Sequence, residues 1–151
     1  MTKSERLQPI VRVSESRERQ AARMLAEALK RQQEVETRFK ELQTYREEYE
    51  QLFQRTSRSG VGAEKLRDYR AFIAQLNQAI GYQEQKVSAA VAACEAARSA
   101  WLRTRTRCQA LGKVVDGHRR DERRSEDRRE QKDSDALAQG MRRETGTDED
   151  E

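Results

Sequence analysis

Apolar side chains recur at alternating three- and four-residue steps in two separate runs along the chain. The second run is the stronger, because only Gln83 and Thr104 interrupt it with polar side chains. This spacing is the heptad repeat of a coiled coil, so it predicts a helix over about residues 63–115 with one apolar seam. The positions of that seam are Leu66, Tyr69, Ile73, Leu76, Ile80, Gln83, Val87, Ala90, Cys94, Ala97, Trp101, Thr104, Cys108, Leu111 and Val115.

A first run with the same spacing predicts a preceding helix over about residues 4–58. Nine of its thirteen positions are apolar, and the pattern is strongest after Val35. No proline or glycine occurs between Pro9 and Gly60, and Thr2 with Glu5 has the spacing of a capping box at the start. The thirteen positions are Val11, Ser14, Glu18, Ala21, Leu25, Ala28, Gln32, Val35, Phe39, Leu42, Arg46, Tyr49 and Phe53.

The segment between the two runs, residues 56–62, predicts a turn. Either Gly60 or Gly62 can adopt the positive φ that ends a helix, and a short connection favours antiparallel neighbours. Folding there brings large side chains together near the turn and small ones together farther from it. The expected neighbours are Tyr49 with Tyr69, Leu42 with Leu76, Phe39 with Ile80, Leu25 with Cys94, Ala21 with Ala97, and Glu18 with Trp101.

These patterns predict an all-α fold, a long two-helix antiparallel coiled-coil hairpin over residues 4–115. From Asp116 onward the apolar seam ends and blocks of like charge alternate. Exposed charge pairs four residues apart can support a helix, so we expect a charged helical extension over 116–139. We expect residues 140–151, which end in an acidic run, to be disordered.

Composition supports a thin core. The 151 residues are 34% hydrophobic and 38% charged, with a mean hydropathy of −1.14. A compact globule of this length needs more apolar residues, and the periodicity argues against full disorder. Residues 1–115 carry 22 basic and 14 acidic side chains, whereas residues 116–151 carry 9 and 13. A basic hairpin with an acidic end attracts charged partners, although a solvated helix surface has the same composition.

The sequence lacks the residue combinations that catalysis requires, so we expect no enzymatic activity and no cofactor. His118 has no Cys or His at metal-ligand spacing, and no lysine follows Gly60 and Gly62 as a phosphate-binding loop requires. Acidic residues among the basic ones of 118–132 argue against nucleic-acid binding. No apolar run is long enough to span a membrane, and the N-terminus lacks a continuous apolar region, so we expect neither a transmembrane helix nor a cleaved secretion signal. We expect Cys94 and Cys108 to be buried as small apolar side chains and to stay reduced, as in a reducing compartment. The alternative is an intermolecular disulfide.

Apolar side chains beside the seam mark one region near the turn as a candidate binding surface. Tyr45 and Leu52 flank the seam of the first helix, and Phe72 and Ala79 flank that of the second. Flanking aromatic residues in a two-helix hairpin stay partly exposed, and exposed apolar patches often bind partners. The alternative is that these residues only widen the core.

Three stretches of this sequence resemble the flagellar export protein FliJ family. They are RLQPIVRVSESRERQAARML, LQTYREEYEQL before the turn, and YRAFIAQLNQAI after it. The resemblance covers roughly residues 4–115, and RREQKDSDALA is similar to the charged helix end of the family. The aromatic residues on both sides of the turn are the most specific part of the resemblance.

The resemblance implies a stalk and adaptor in the flagellar type III protein export apparatus, cytoplasmic and peripherally associated with the inner membrane. Family members resemble the central stalk subunit of rotary ATPases. One end of the family's two-helix coiled coil enters the export ATPase ring. The other end contacts the export gate membrane protein FlhA, and export chaperones also bind. The gate-binding patch of the family matches Leu42, Tyr45, Tyr49, Phe72, Leu76 and Ala79. Arg38 and Gln83, at its edge, depart from the family pattern.

Two other functions remain open on the sequence. One is a structural coiled-coil spacer with no ATPase partner, and the other is the equivalent stalk of a virulence-type secretion system. Stimulation of an ATPase distinguishes a stalk from a spacer, whereas neighbouring genes distinguish the two secretion systems.

Overall fold

The structure, a computed structural model, describes residues 1–147 and consists of two helices. Helix α1 spans Lys3–Ser57 and helix α2 spans Ala63–Thr147. No strand occurs among the described residues. The prediction of an all-α helical hairpin is confirmed.

The chain forms two compact units, and both contain a part of each helix. One unit is Glu18–Thr104, with the turn and the helix segments on both sides of it. The other combines Met1–Arg17 with Arg105–Glu151. Each helix contributes to both units, and α2 continues without a break through residue 115.

Glycine conformation ends α1 as the sequence predicts. Gly60 has a φ of 91°, and its amide donates a 3.0 Å hydrogen bond to the carbonyl of Ser57. This left-handed conformation is open to glycine at little steric cost. Gly62 does not take a positive φ; its carbonyl instead accepts a hydrogen bond from the amide of Leu66 in the first turn of α2.

The first turn of α1 contains the predicted capping box. The amide of Glu5 donates to Thr2 Oγ1 at 3.3 Å, and the amide of Thr2 donates to Glu5 Oε2 at 3.0 Å. These reciprocal bonds satisfy amides that have no partner within the helix. Pro9 lies inside α1, which continues through it.

Within Glu18–Thr104 the two helices pack antiparallel along the predicted seam. The rings of Tyr49 and Tyr69 stack with centroids 5.8 Å apart. Farther from the turn, Trp101 Nε1 donates a 3.0 Å hydrogen bond to Glu18 Oε1. All thirteen predicted seam positions of α1 and all fifteen of α2 are buried or half-buried. Among the residues that the structure describes, the buried apolar ones are Val35, Leu76, Ile80, Ala90, Cys94 and Val115.

The C-terminal region differs from the sequence-based expectation. Helix α2 continues to Thr147, so residues 140–147 are helical, whereas we expected disorder from residue 140. A glycine inside a helix lowers the stability of the helix by only about 1 kcal/mol relative to alanine, which is not enough to end the helix. The remaining residues of that expected segment, 148–151, lie outside the described part of the chain.

Candidate partner-binding site

A groove between α1 and α2 near the turn contains five of the six predicted site residues. Its volume is about 380 Å³. Arg38, Glu41 and Gln75 complete its wall. The two helices position these side chains because heptad neighbours from each fall on the same side of the seam. The predicted residues that line it are Leu42, Tyr45, Phe72, Leu76 and Ala79.

Tyr49, the sixth predicted residue, does not line the groove but contacts the rings of two residues that do. Its ring centroid is 4.4 Å from that of Phe72 and 6.4 Å from that of Tyr45. Tyr45 and Phe72 meet edge to face, 6.0 Å apart at 82°. Aromatic pairs in such tilted and T-shaped arrangements stabilise one another beyond their buried area. The cluster therefore holds the ring of Tyr45 in place at the surface.

The cluster continues toward the turn through Phe53 and Tyr69. Their rings stack 3.7 Å apart at an interplanar angle of 7°. Burial raises the pKa of the Tyr69 phenol above its usual value of 10.0, and the nearby Glu50 and Tyr49 act in the same direction.

Exposure separates the residues that can contact a partner from those that support them. Leu76 is 7% exposed and belongs to the core, whereas Tyr45 is 49% exposed. Leu52, one heptad closer to the turn than Tyr45, is 55% exposed. Phe72 is half-buried and Ala79 is exposed. Tyr45 thus offers the largest free apolar surface at the groove.

A second groove lies on the outer side of α1, directly beside the first. Its volume is about 340 Å³, and polar or charged residues form most of its wall. Tyr45 and Glu41 line both grooves, so the Tyr45 side chain forms a ridge between them. The other residues of this second groove are Thr37, Lys40, Thr44 and Glu48.

The two residues at which the sequence departs from the family patch have different surroundings. Arg38 lines the groove and lies 3.6 Å from Glu41, with more than half of each side chain exposed. Such an exposed ion pair contributes little stability. Gln83 is 8% exposed, and its Nε2 donates a hydrogen bond to the carbonyl of Val35. Gln83 is therefore a core residue, and only Arg38 belongs to the edge of the groove.

Small side chains fill the seam farther from the turn. Ala90 is buried, and Ala21, Ala28 and Ala97 are half-buried at neighbouring seam positions. Alanine at a helix–helix contact lets the two axes approach toward the lower end of the usual range of about 8–10 Å. We therefore expect this part of the hairpin to be narrow.

Sequence reasoning missed one contact between the helices, which involves the first turn of α1. Glu122 Oε1 accepts a 3.0 Å hydrogen bond from the amide of Ser4, and Glu122 Oε2 accepts a 2.7 Å bond from Ser4 Oγ. These two bonds lower the pKa of Glu122 below its usual value of 4.5, with smaller contributions from His118 and Arg119. A carboxylate at a helix N-terminus also complements the helix dipole.

The seam spacing contains a signal for this contact. Three- and four-residue steps continue from Val115 to His118 and Glu122, and from Val11 back to Leu7 and Ser4. The structure buries or half-buries each of these added positions. The apolar seam ends near Asp116, as predicted, but helix packing continues one step farther through polar side chains.

Other candidate chemistry is sparse in the described part of the chain. His118 is half-buried beside Lys3, Asp121 and Glu122 rather than fully solvated. Residues 1–147 hold no cluster of three or more potential metal ligands. Cys94 is buried and Cys108 half-buried, and both are free thiols. Neither described helix contains a stretch apolar enough to cross a lipid bilayer.

Comparison with known proteins gives one family match. The family model described as Flagellar FliJ protein matches residues 2–144, which is most of the chain. Searches among curated proteins and among solved structures give no match.

Proposed function

Because the chain belongs to the FliJ family of flagellar protein export components, we propose that it acts as the central stalk and adaptor of the export ATPase. In this role it links the ATPase ring to the export gate protein FlhA and to export chaperones. It works by binding rather than by catalysis. Its place is the cytoplasmic face of the inner membrane, where the export apparatus holds it.

The groove at Tyr45 is the observation that carries the proposal. It combines an exposed aromatic ring with a supporting cluster, close to one end of α1. An exposed aromatic ring that becomes buried against a partner can provide much of the binding energy of a small interface. We assign this groove to the export gate, with Leu42, Tyr45, Tyr49, Phe72, Leu76 and Ala79 as the binding residues.

The narrow segment of the hairpin supports a role inside the ATPase ring. A central pore admits a slender pair of helices more readily than a wide one. The alanine-rich seam between Ala21 and Ala97 supplies such a segment. The Ala-rich part of the hairpin and the groove near the turn would therefore serve different partners.

A titration of the cognate export ATPase tests the stalk role. Adding this protein should increase ATP hydrolysis and ring assembly, whereas the protein alone should hydrolyse no nucleotide. Replacing Ala28 and Ala90 by leucine widens the narrow segment without adding charge and should reduce the stimulation. A matched pair of leucines at the exposed positions Ala26 and Ala92 is the control. Unchanged hydrolysis over the whole titration contradicts the stalk role and favours a structural spacer.

A further inference from the structure

Basic side chains continue the gate-binding groove along the same side of the hairpin. Tyr45 and Ala79 line the groove together. Heptad positions repeat every seven residues on both helices. One heptad farther from the turn, Arg38 therefore takes the position of Tyr45 on α1, and Lys86 takes the position of Ala79 on α2. Arg38 itself forms part of the groove wall.

One more heptad on α1 adds a third basic residue. The rings of Tyr45 and Phe72 are 6.0 Å apart. Two heptads farther from the turn, Arg31 takes the position of Tyr45 on α1, and Lys86 takes the position of Phe72 on α2. The hydrogen bond between Gln83 and Val35 lies at this level, so the two helices remain paired there. We call Arg31, Arg38 and Lys86 the basic strip; all three are exposed.

Arg38 pairs with Glu41 on its own helix, whereas Arg31 and Lys86 have no carboxylate at the flanking position of the facing helix. Residues that flank the seam of a coiled coil commonly pair opposite charges between helices. Here the flanking positions bring cations together, and neither Arg31 nor Lys86 forms an ion pair within residues 1–147. Lys86 also has no acidic residue three or four positions away on its own helix. This arrangement costs stability in the free chain, because like charges repel.

At the level of the basic strip, the opposite side of the seam holds carboxylates. Asn77 accepts a hydrogen bond from Arg46 on that side, and Glu84 follows Asn77 by one heptad. Glu36 flanks the seam of α1 at a comparable level. The cations therefore distinguish one side of the hairpin, the side that contains the Tyr45 groove.

We propose that the basic strip extends the gate-binding groove and binds the acidic continuation of the same partner segment. This inference rests on the proposed function and specifies the chemistry of the partner. The segment places an apolar side chain in the groove and carboxylates over Arg38, Arg31 and Lys86. The strip begins about 10 Å from Tyr45 and ends about 20 Å from it, at 1.5 Å per helical residue.

Charge reversal of the strip tests the proposal with purified export gate protein as the probe. Arg31→Glu with Lys86→Glu should weaken gate binding about tenfold, because carboxylates then face the partner's carboxylates. Arg23→Glu with Lys30→Glu makes the same change in net charge at exposed positions on the outer side of α1, and should leave the Kd unchanged. Raising the salt concentration from about 0.05 to 0.5 M should weaken binding of the unaltered chain more than that of the strip variant.

The single variant Lys86→Glu separates binding from folding. It places a carboxylate opposite Arg31, so the midpoint of thermal unfolding should rise by about 1–3 °C. Gate binding should nevertheless fall about fivefold. A loss of binding caused by misfolding would instead come with a lower midpoint.

The outcomes distinguish this inference from the proposed function. If the unaltered chain binds the gate and the strip variants bind it equally well, the basic strip is only a solvated surface and the inference is wrong, while the groove assignment stands. If the unaltered chain does not bind the gate at low salt, both are wrong. Weakened binding by the strip variants, with normal binding by the outer-side control, supports the inference.

Discussion

The side-chain amide of Gln83 donates a 3.0 Å hydrogen bond to the backbone carbonyl of Val35 on the facing helix. Gln83 is 8% exposed and Val35 is 3% exposed, so the bond lies in the core. A buried polar residue in a coiled-coil seam fixes the register of the helices, because any other alignment leaves it without a partner. This bond therefore helps to align the residues of the groove on α1 with those on α2.

We expect Gln83→Ala to lower the free energy of unfolding by about 1–2 kcal/mol, through the lost hydrogen bond and a small cavity. Gln85→Ala, at an exposed position on the same helix, should change it by less than about 0.5 kcal/mol. Urea unfolding followed by circular dichroism measures both. Equal stability of the two variants would show that the bond to Val35 does not stabilise the fold.

The double variant Tyr45→Ala with Phe72→Ala should weaken binding to the export gate and reduce motility, because it removes the exposed ring and its T-shaped partner. A central anchor of this kind contributes about 2 kcal/mol or more to binding. Helicity and ATPase stimulation should stay close to those of the unaltered chain. Tyr82→Ala is the control, since Tyr82 is 59% exposed but lies outside the groove. Normal gate binding by the double variant would show that these side chains only widen the core and do not bind the gate.

Leu76→Ala should destabilise the fold. Leu76 is 7% exposed, and removing a buried leucine side chain costs about 2–5 kcal/mol. Tyr45→Ala should cost less, because half of that side chain is already exposed. Thermal unfolding of the two single variants gives the comparison. A larger loss for Tyr45→Ala would mean that Tyr45, not Leu76, is the core residue.

Acid should weaken the Ser4–Glu122 contact. The pKa of Glu122 lies below its usual 4.5 because Ser4 Oγ and the Ser4 amide bond the ionised form. The contribution of the contact to stability is therefore complete above the usual pKa and is lost as the pH falls through the lowered value. Glu122→Gln should remove this pH-dependent part, whereas Glu130→Gln, at an exposed position, should keep it. Thermal unfolding between about pH 7 and pH 3 measures the difference.

The sequence predicts the seam of this fold better than its ends. Steps of three and four residues identify the buried positions because a thin core leaves no other place for apolar side chains. The same rule failed beyond Asp116, since Glu122 occupies a packing position with a charged side chain that an apolar search does not select. It also missed the helix at 140–147, where no core contact accompanies the backbone.

Heptad position brings the predicted site residues together but does not give the arrangement of their side chains. Five of the six residues line one groove, but the sequence does not show that Tyr49 lies outside its wall. The sequence places Gln83 in the seam, but it does not identify the Val35 carbonyl as the acceptor of its amide. Both depend on side-chain direction at the surface of a helix, which heptad position alone does not determine.

No side chain among the described residues is fully buried. Solvent therefore reaches every layer of the seam, and each layer depends mainly on its immediate neighbours. Proteins stabilised in this way open in short segments rather than all at once. Backbone amides should then exchange with deuterium at graded rates, slowest beside Val35 and Gln83 and faster at the ends of the helices. A partner that binds at one end can thus loosen or tighten a few helical turns without unfolding the rest of the chain.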